Sequence, residues 1–426
     1  GMHQRDNGLD LTGEYKKWYL RVIEFITLEM QNLSPEIQEQ LKETLGNSLK
    51  GFGLTHSLDI IEECCVKLGC NRDWWQGWIS LGEIKKYYYD EFEMSEKDTL
   101  DQLISLMEPV DAVPRLACIL QGGFVGLQTY FSSQEKINEE IKRLAEIFAA
   151  NPDLLEQLFS KLGNKYFMAG DIFGRKLAES EKSDSFAALW PSICKVLDKD
   201  LSIAVGYLNV KYNCDKEKAI FLLDELENTD KASQAVRIHS ILECSGRYLQ
   251  HVLKLLSDSR IDLNCVSFLG YSIISNETKE SEILGFLLKI KDMKHGSAVA
   301  LEIFWQYCES VKRNKNLLSI YAKAVGRIII IEGIKEFEPK EVEDLEYKLE
   351  ELIEFCFSDN NVSEEEIKNL FVDLKDFIIV QNACGRWLWG NLMYPVARVY
   401  VKDFLDIVVG DEKGSYELER EIQGHN

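Results

Sequence analysis

The reactive side chains of this sequence fall into separate groups. His56, Asp59, Glu62 and Glu63 are followed closely by Cys64, Cys65 and Cys70. Imidazole, carboxylate and thiolate are the donors that transition metals take. On a helix His56, Asp59 and Glu63 stand at i, i+3 and i+7 and share a face. Zinc sites usually pair ligands as Cys-x2-Cys with a second pair downstream. Neither that spacing nor a second pair is present, so the expectation is a polar helix face over buried thiols, without a metal.

A second group is aromatic: Trp74, Trp75 and Trp78, then Tyr87, Tyr88 and Tyr89. Such rings either bury large areas in a core or, when exposed, anchor a partner. The same choice holds for Arg386, Trp387, Trp389 and Tyr394, with Arg398 and Tyr400 beside them. There the alternatives are cation–π contacts at an interface and a cap over the end of a helical array. Trp74, Trp75, Trp78, Arg386, Trp387, Trp389 and Tyr394 are accordingly the candidate partner-binding residues. His239, His251 and His295 lie on separate helical segments with no Ser or Cys placed to pair with them, and read as ordinary surface or boundary residues.

The familiar signatures of chemistry are absent. Gly46 to Gly53 carries glycines but no Lys-Ser/Thr after them, so there is no phosphate-binding P-loop. The sequence contains no G-x-G-x-x-G after a strand, no H-E-x-x-H and no G-x-S-x-G. No catalytic residue and no cofactor is expected.

The elements that position these groups are helical throughout. Trp18, Val22, Phe25, Ile26 and Met30 form one apolar stripe, and Ser34-Pro35 opens a helix with Ile37, Leu41 and Leu45 inward. Gly51-Phe52-Gly53 reads as a break, and 98–108 and 114–131 as two helices. Between 150 and 312 the apolar clusters Leu154-Leu155, Ala188-Leu189, Leu222-Leu223, Leu255-Leu256 and Leu287-Leu288 recur at steps of 34, 34, 33 and 32. Each cluster sits in the first helix of a pair: 153–162 with 166–179, 185–197 with 199–212, 216–227 with 231–244, 247–257 with 261–275, and 280–291 with 296–311. A fixed period of this length marks a stacked repeat array. Ile328 to Ile331 is β-branched, but its flanks keep a helical rhythm. Val342, Leu345, Leu349, Leu352 and Cys356 form a short heptad-like seam, and Ser363 with Glu366 is a capping box.

This pattern resembles the HEAT-like and armadillo-like α-solenoids over roughly 150–335, with Pro191 where HEAT units often carry a first-helix proline. The resemblance implies an all-α fold, a superhelical stack of antiparallel helix pairs, and a concave binding surface. It carries over no functional residue.

Charge narrows the partners. The 426-residue chain has a net charge of −22 and no basic stripe, which argues against nucleic acid. Between Glu332 and Asp376 stand 16 carboxylates and 5 lysines, either two solvated helix faces or a surface for a basic partner. The 11 cysteines are scattered, an odd count that fits reduced thiols and a cytoplasmic setting. No apolar run is long enough for a membrane span. The expected organisation is an N-terminal helical region over 1–134, a repeat array over 135–335 and an acidic helical cap over 336–426. The expected function is a non-catalytic scaffold or adaptor that binds a protein with a basic patch. The alternatives are an acidic immunity-type inhibitor of a basic partner, or an enzyme with a site in the concave groove.

Overall fold

The computed structural model describes residues 14–381 except 55–56, 70–71, 123, 132, 163–166, 183, 271, 273–277, 315–316, 337–341 and 358–361, together with 399–404 and 406. Among the described residues every regular element is helical, and no helix is long and apolar enough to cross a membrane. The chain divides into two compact units, Gly1–Leu222 and Leu223–Asn426.

The first unit contains α1 (Glu14–Glu29), α2 (Pro35–Leu54), α3 (Leu58–Leu68), α4 (Trp75–Tyr88), α5 (Met94–Met107), α6 (Ala112–Gln121), α7 (Phe124–Tyr130), α8 (Gln134–Ala150), α9 (Asp153–Lys161), α10 (Gly170–Ser180), α11 (Trp190–Cys194) and α12 (Ser202–Cys214). The division falls within α13 (Lys216–Glu227). In the second unit follow α14 (Ala232–Leu242), α15 (Gly246–Ser257), α16 (Glu280–Lys291), α17 (Gly296–Arg313), α18 (Ile320–Glu336), α19 (Val342–Phe357), α20 (Glu364–Gln381) and α21 (Val401–Phe404).

Many helices pack on their next and next-but-one neighbours, but α4 also packs on α7, and α9 on α6 and α2. In the first unit α2 lies on α4, and α10 on both α8 and α12. In the second, α17 lies against α16 and α18, and α18 against α19 and α20. The recurring leucines are core in every case: Leu155, Leu189, Leu223, Leu255 and Leu287 are all buried. Hydrogen bonds repeat nearly the same interval. Phe167 N donates to Asp200 Oδ2 at 3.2 Å, Ser240 and Ser272 hydroxyls meet at 3.2 Å, and Thr278 Oγ1 donates to the Cys244 carbonyl. These bonds join residues 33, 32 and 34 positions apart in sequence.

Close backbone approach reshapes several expected elements. Gly51-Phe52-Gly53 is not a break, because α2 runs through to Leu54. A Cβ on Gly53 would stand 2.8 Å from Ile84 Cγ1, so this glycine lets α2 press against α4. The same contact turns α2 so that Gly46, Leu49 and Phe52 face inward, while Ile37 is exposed and Leu41 and Leu45 only half-buried. The tightest crossing is α10 on α12. There a Cβ on Gly174 would lie 2.1 Å from the Ile203 carbonyl oxygen, and one on Gly206 2.1 Å from that of Asp171.

Other boundaries also differ. The helix expected over 114–131 is two, α6 and α7, with the interruption at Gly122. The helix expected over 185–197 shrinks to α11 between turns, preceded by Ala187 in the left-handed region at φ 61°. The segment after α15 begins as a 3-10 turn, Leu263–Val266, rather than an α-helix. Ile328 to Ile331 is helical within α18, and Leu349, Leu352 and Cys356 are buried along α19. The capping box opens α20: Ser363 Oγ accepts from Glu366 N at 3.2 Å, and Glu366 Oε2 accepts from Ser363 N at 3.0 Å.

Candidate functional site

The tryptophans near residue 75 lie inside the first unit. Trp74, Trp75 and Trp78 are 0%, 6% and 1% exposed. Trp74 Nε1 donates to the Lys42 carbonyl at 2.8 Å and Trp78 Nε1 to that of Ile104 at 3.2 Å. Trp78 also stacks on Tyr130 with ring centroids 3.6 Å apart and the Arg115 guanidinium over its ring. These rings are tied to neighbouring helices, and a partner reaches them only if the helices separate. Arg386, Trp387, Trp389 and Tyr394 lie outside the described residues.

An aromatic that does reach solvent is Trp18, on α1. The expected stripe on that helix spans a wide arc, and only one edge of it is buried. Ile23 and Met30 pack inward, with Tyr19 edge-on to Phe52 at 5.2 Å. Trp18, Phe25 and Leu28 lie on the opposite face and are 57%, 64% and 68% exposed. The inward expectation for Trp18 and Phe25 is therefore corrected. Among the described residues, the main helical neighbour of α1 is α3, which covers one side of it.

The acidic residues expected on α3 complete this surface. Asp59 and Glu62 point to solvent, Glu63 is half-exposed, and Val66 is an exposed apolar residue one turn on. With Leu20, Arg21 and Glu24 of α1 and Lys67 of α3 they line a groove of about 490 Å³, four carboxylates to two bases. Lys67 pairs with Glu63 at 2.8 Å, and that hydrogen bond raises the lysine above its ordinary range. His56 and Cys70 lie outside the described residues. Cys64 and Cys65 face the core, and burial pushes the Cys64 thiol up to about 12 and Cys65 upward as well. Thiols held neutral in this way are poor nucleophiles and poor metal ligands. None of the nine described cysteines is in a disulfide, and Cys194 and Cys265 are half-buried where Cys244 and Cys308 are buried.

The acidic stretch of the second unit is interlaced with bases. Glu332 pairs with Lys291 at 2.5 Å, Glu351 with Lys312 at 3.5 Å and Glu366 with Arg327 at 2.8 Å. Three of the 16 carboxylates thus tie helices of this unit together.

The histidines do not behave as three isolated residues. His295 takes the left-handed conformation before α17, at φ 61°. His239 is 7% exposed and approaches Glu227, which also accepts from His251. The expectation of independent surface histidines is corrected for these two. The signal in the sequence is Asp224-x-x-Glu227 with His239 and His251 following at equal intervals of 12 residues. It is faint, because those side chains come from three helices and no short motif unites them. No family model matches the chain, and no curated protein or solved structure matches it either.

Proposed function

We propose that each unit is a stack of helix pairs of HEAT-like or armadillo-like kind, and that the protein is a non-catalytic adaptor. Its docking surface is the outer face of α1 with the α3 groove, and its partner is a basic amphipathic helix. The observation that carries this reading is the exposed stripe Trp18, Phe25 and Leu28 beside Glu24, Asp59, Glu62 and Glu63. Large apolar side chains grouped on one face and rimmed by charge mark interaction sites. Trp is among the strongest interface anchors. The carboxylates and the net charge of −22 select a Lys- or Arg-bearing helix and speed its encounter. The leucine period and the hydrogen bonds that repeat it support the stacked-pair architecture.

A fluorescent 18-residue amphipathic peptide provides the test, made once with lysines and once with glutamates on its polar face. The lysine peptide is expected to bind, to weaken as salt rises, and to lose about tenfold or more in affinity with Phe25→Asp, within the usual cost of an interface anchor. That substitution adds negative charge, so indiscriminate electrostatic binding would strengthen rather than weaken. Equal binding of the lysine peptide to Phe25→Asp and to the parent protein refutes the surface assignment.

A further inference from the structure

In the second unit the end of α13 meets side chains from the next two helices. Asp224 and Glu227 are three residues apart on α13 and share a face. His239 reaches them from α14, and the ligand atoms of Asp224, Glu227 and His239 all lie within 4.8 Å of one another. Glu227 is 4% exposed and Asp224 is open to solvent. His251, on α15, places Nε2 2.8 Å from Glu227 Oε2. An ionised carboxylate only accepts, so His251 Nε2 carries the proton. Arg260 fixes the end of α13 by donating to the Glu227 carbonyl at 2.5 Å and to Asn228 Oδ1 at 3.1 Å. The Tyr248 ring lies against His239 with centroids 4.0 Å apart, and its hydroxyl donates to the Val236 carbonyl at 3.0 Å.

Glu227 Oε1 is the anomaly. It is buried and makes no hydrogen bond, and His239 Nδ1 stands 4.0 Å from it. That separation is too long for a hydrogen bond. Burying a carboxylate oxygen without a partner is costly. The burial pushes Glu227 above the usual carboxylate range, and His251 opposes the shift. A cation bound to Oε1 would relieve that cost. Around zinc, with ligand distances of about 2.0–2.1 Å, neighbouring ligands are about 3.3 Å apart. The 4.0 Å between Oε1 and Nδ1 exceeds this by less than one ångström, within reach of small side-chain rotations.

We infer that Asp224, Glu227 and His239 form a site for one divalent first-row transition ion, with His251 as a positioning residue that holds Glu227. The donor set is two carboxylates and one imidazole without thiolate. This fits Zn2+, Co2+ or Mn2+ better than Mg2+ or Ca2+, which prefer oxygen alone. Asp224 provides the entry side, and three protein ligands leave a coordination position for water. An ion held there clips the end of α13 to α14.

The test is titration of the full chain with Zn2+ by calorimetry and with Co2+ by absorption. One ion per chain is expected, with cobalt bands of nitrogen and oxygen ligation and no thiolate charge-transfer band. Asp224→Asn, at an exposed position where folding is not at risk, and Glu227→Gln are each expected to weaken Zn2+ at least about tenfold. His251→Gln should cost about 10–100-fold, as loss of a residue that orients a ligand does. Circular dichroism confirms that each variant is folded. Unchanged Zn2+ affinity in folded Asp224→Asn and Glu227→Gln, a cobalt spectrum dominated by thiolate bands, or no binding of either ion overturns the proposal.

Discussion

Lys211→Met is expected to destabilise the first unit by about 3–5 kcal/mol, because it strands a buried carboxylate. Glu181 follows the last turn of α10, and its side chain is 3% exposed against 7% for that of Lys211. One of its oxygens takes the Lys211 ammonium and the Tyr207 hydroxyl, the latter at 2.7 Å. The other accepts from Leu189 N at 3.0 Å. Tyr207 and Lys211 are four residues apart on α12, so one helix face delivers both. The ammonium also lies 5.1 Å from the Phe186 ring centroid. With both Glu181 oxygens engaged, removal of the cation alone leaves its charge unpaired away from water. The double variant Lys211→Met/Glu181→Gln removes the charge, keeps a carbonyl oxygen for Leu189 N and turns an amide NH2 to the Tyr207 oxygen, which can accept from it. It should recover most of the loss, since uncharged substitutes for a buried pair are often neutral. Urea unfolding of the parent, the single variants and the double variant measures this coupling. Equal destabilisation in the single and double variants would show that the pair is not what joins α10 to α12.

Opposite outcomes are expected for two tryptophans. Trp78→Ala should cost about 3–5 kcal/mol, the usual range for emptying a buried aromatic site. It removes the stack on Tyr130, the bond to Ile104 and the platform under Arg115, and leaves a cavity beside the first turn of α4. Trp18→Ala removes a ring that is 57% exposed and should change stability by only about 0.5 kcal/mol. If α1 is the docking face, binding of the lysine peptide falls with Trp18→Ala although the fold is intact. Thermal unfolding of both variants beside peptide binding separates the roles. A large stability loss for Trp18→Ala, or none for Trp78→Ala, contradicts the placement of these side chains.

Legibility differed by the kind of contact. The leucine period was readable because the recurring leucines are large apolar side chains that end up buried in each case. The capping box before α20 was readable because all its partners are local. What the sequence hid was the setting of one helix against another. Apolar spacing on α2 favours Ile37, Leu41 and Leu45, yet Gly46 and Gly53 decide which face meets α4. On α1 the apolar arc exceeds what a single neighbouring helix can cover, so Trp18 and Phe25 remain outside. The same limit applies to the sites. Density of aromatics near Trp78 left core and surface both open, because the bonds that bury those rings come from distant segments. Glu227, His239 and His251 meet only because three helices converge, which no motif announces.

The most direct measurement of the central claim is photo-crosslinking from position 25 in lysate of the native host, with position 94 as control. Met94 is an exposed apolar residue on α5, 74% accessible, which makes it a fair comparison for Phe25. The expected result is one protein captured from position 25 and not from position 94, through a basic helical segment, with yield falling as salt rises. Equal capture at both positions, or a salt-insensitive adduct to an acidic segment, would contradict an acidic adaptor that docks through α1.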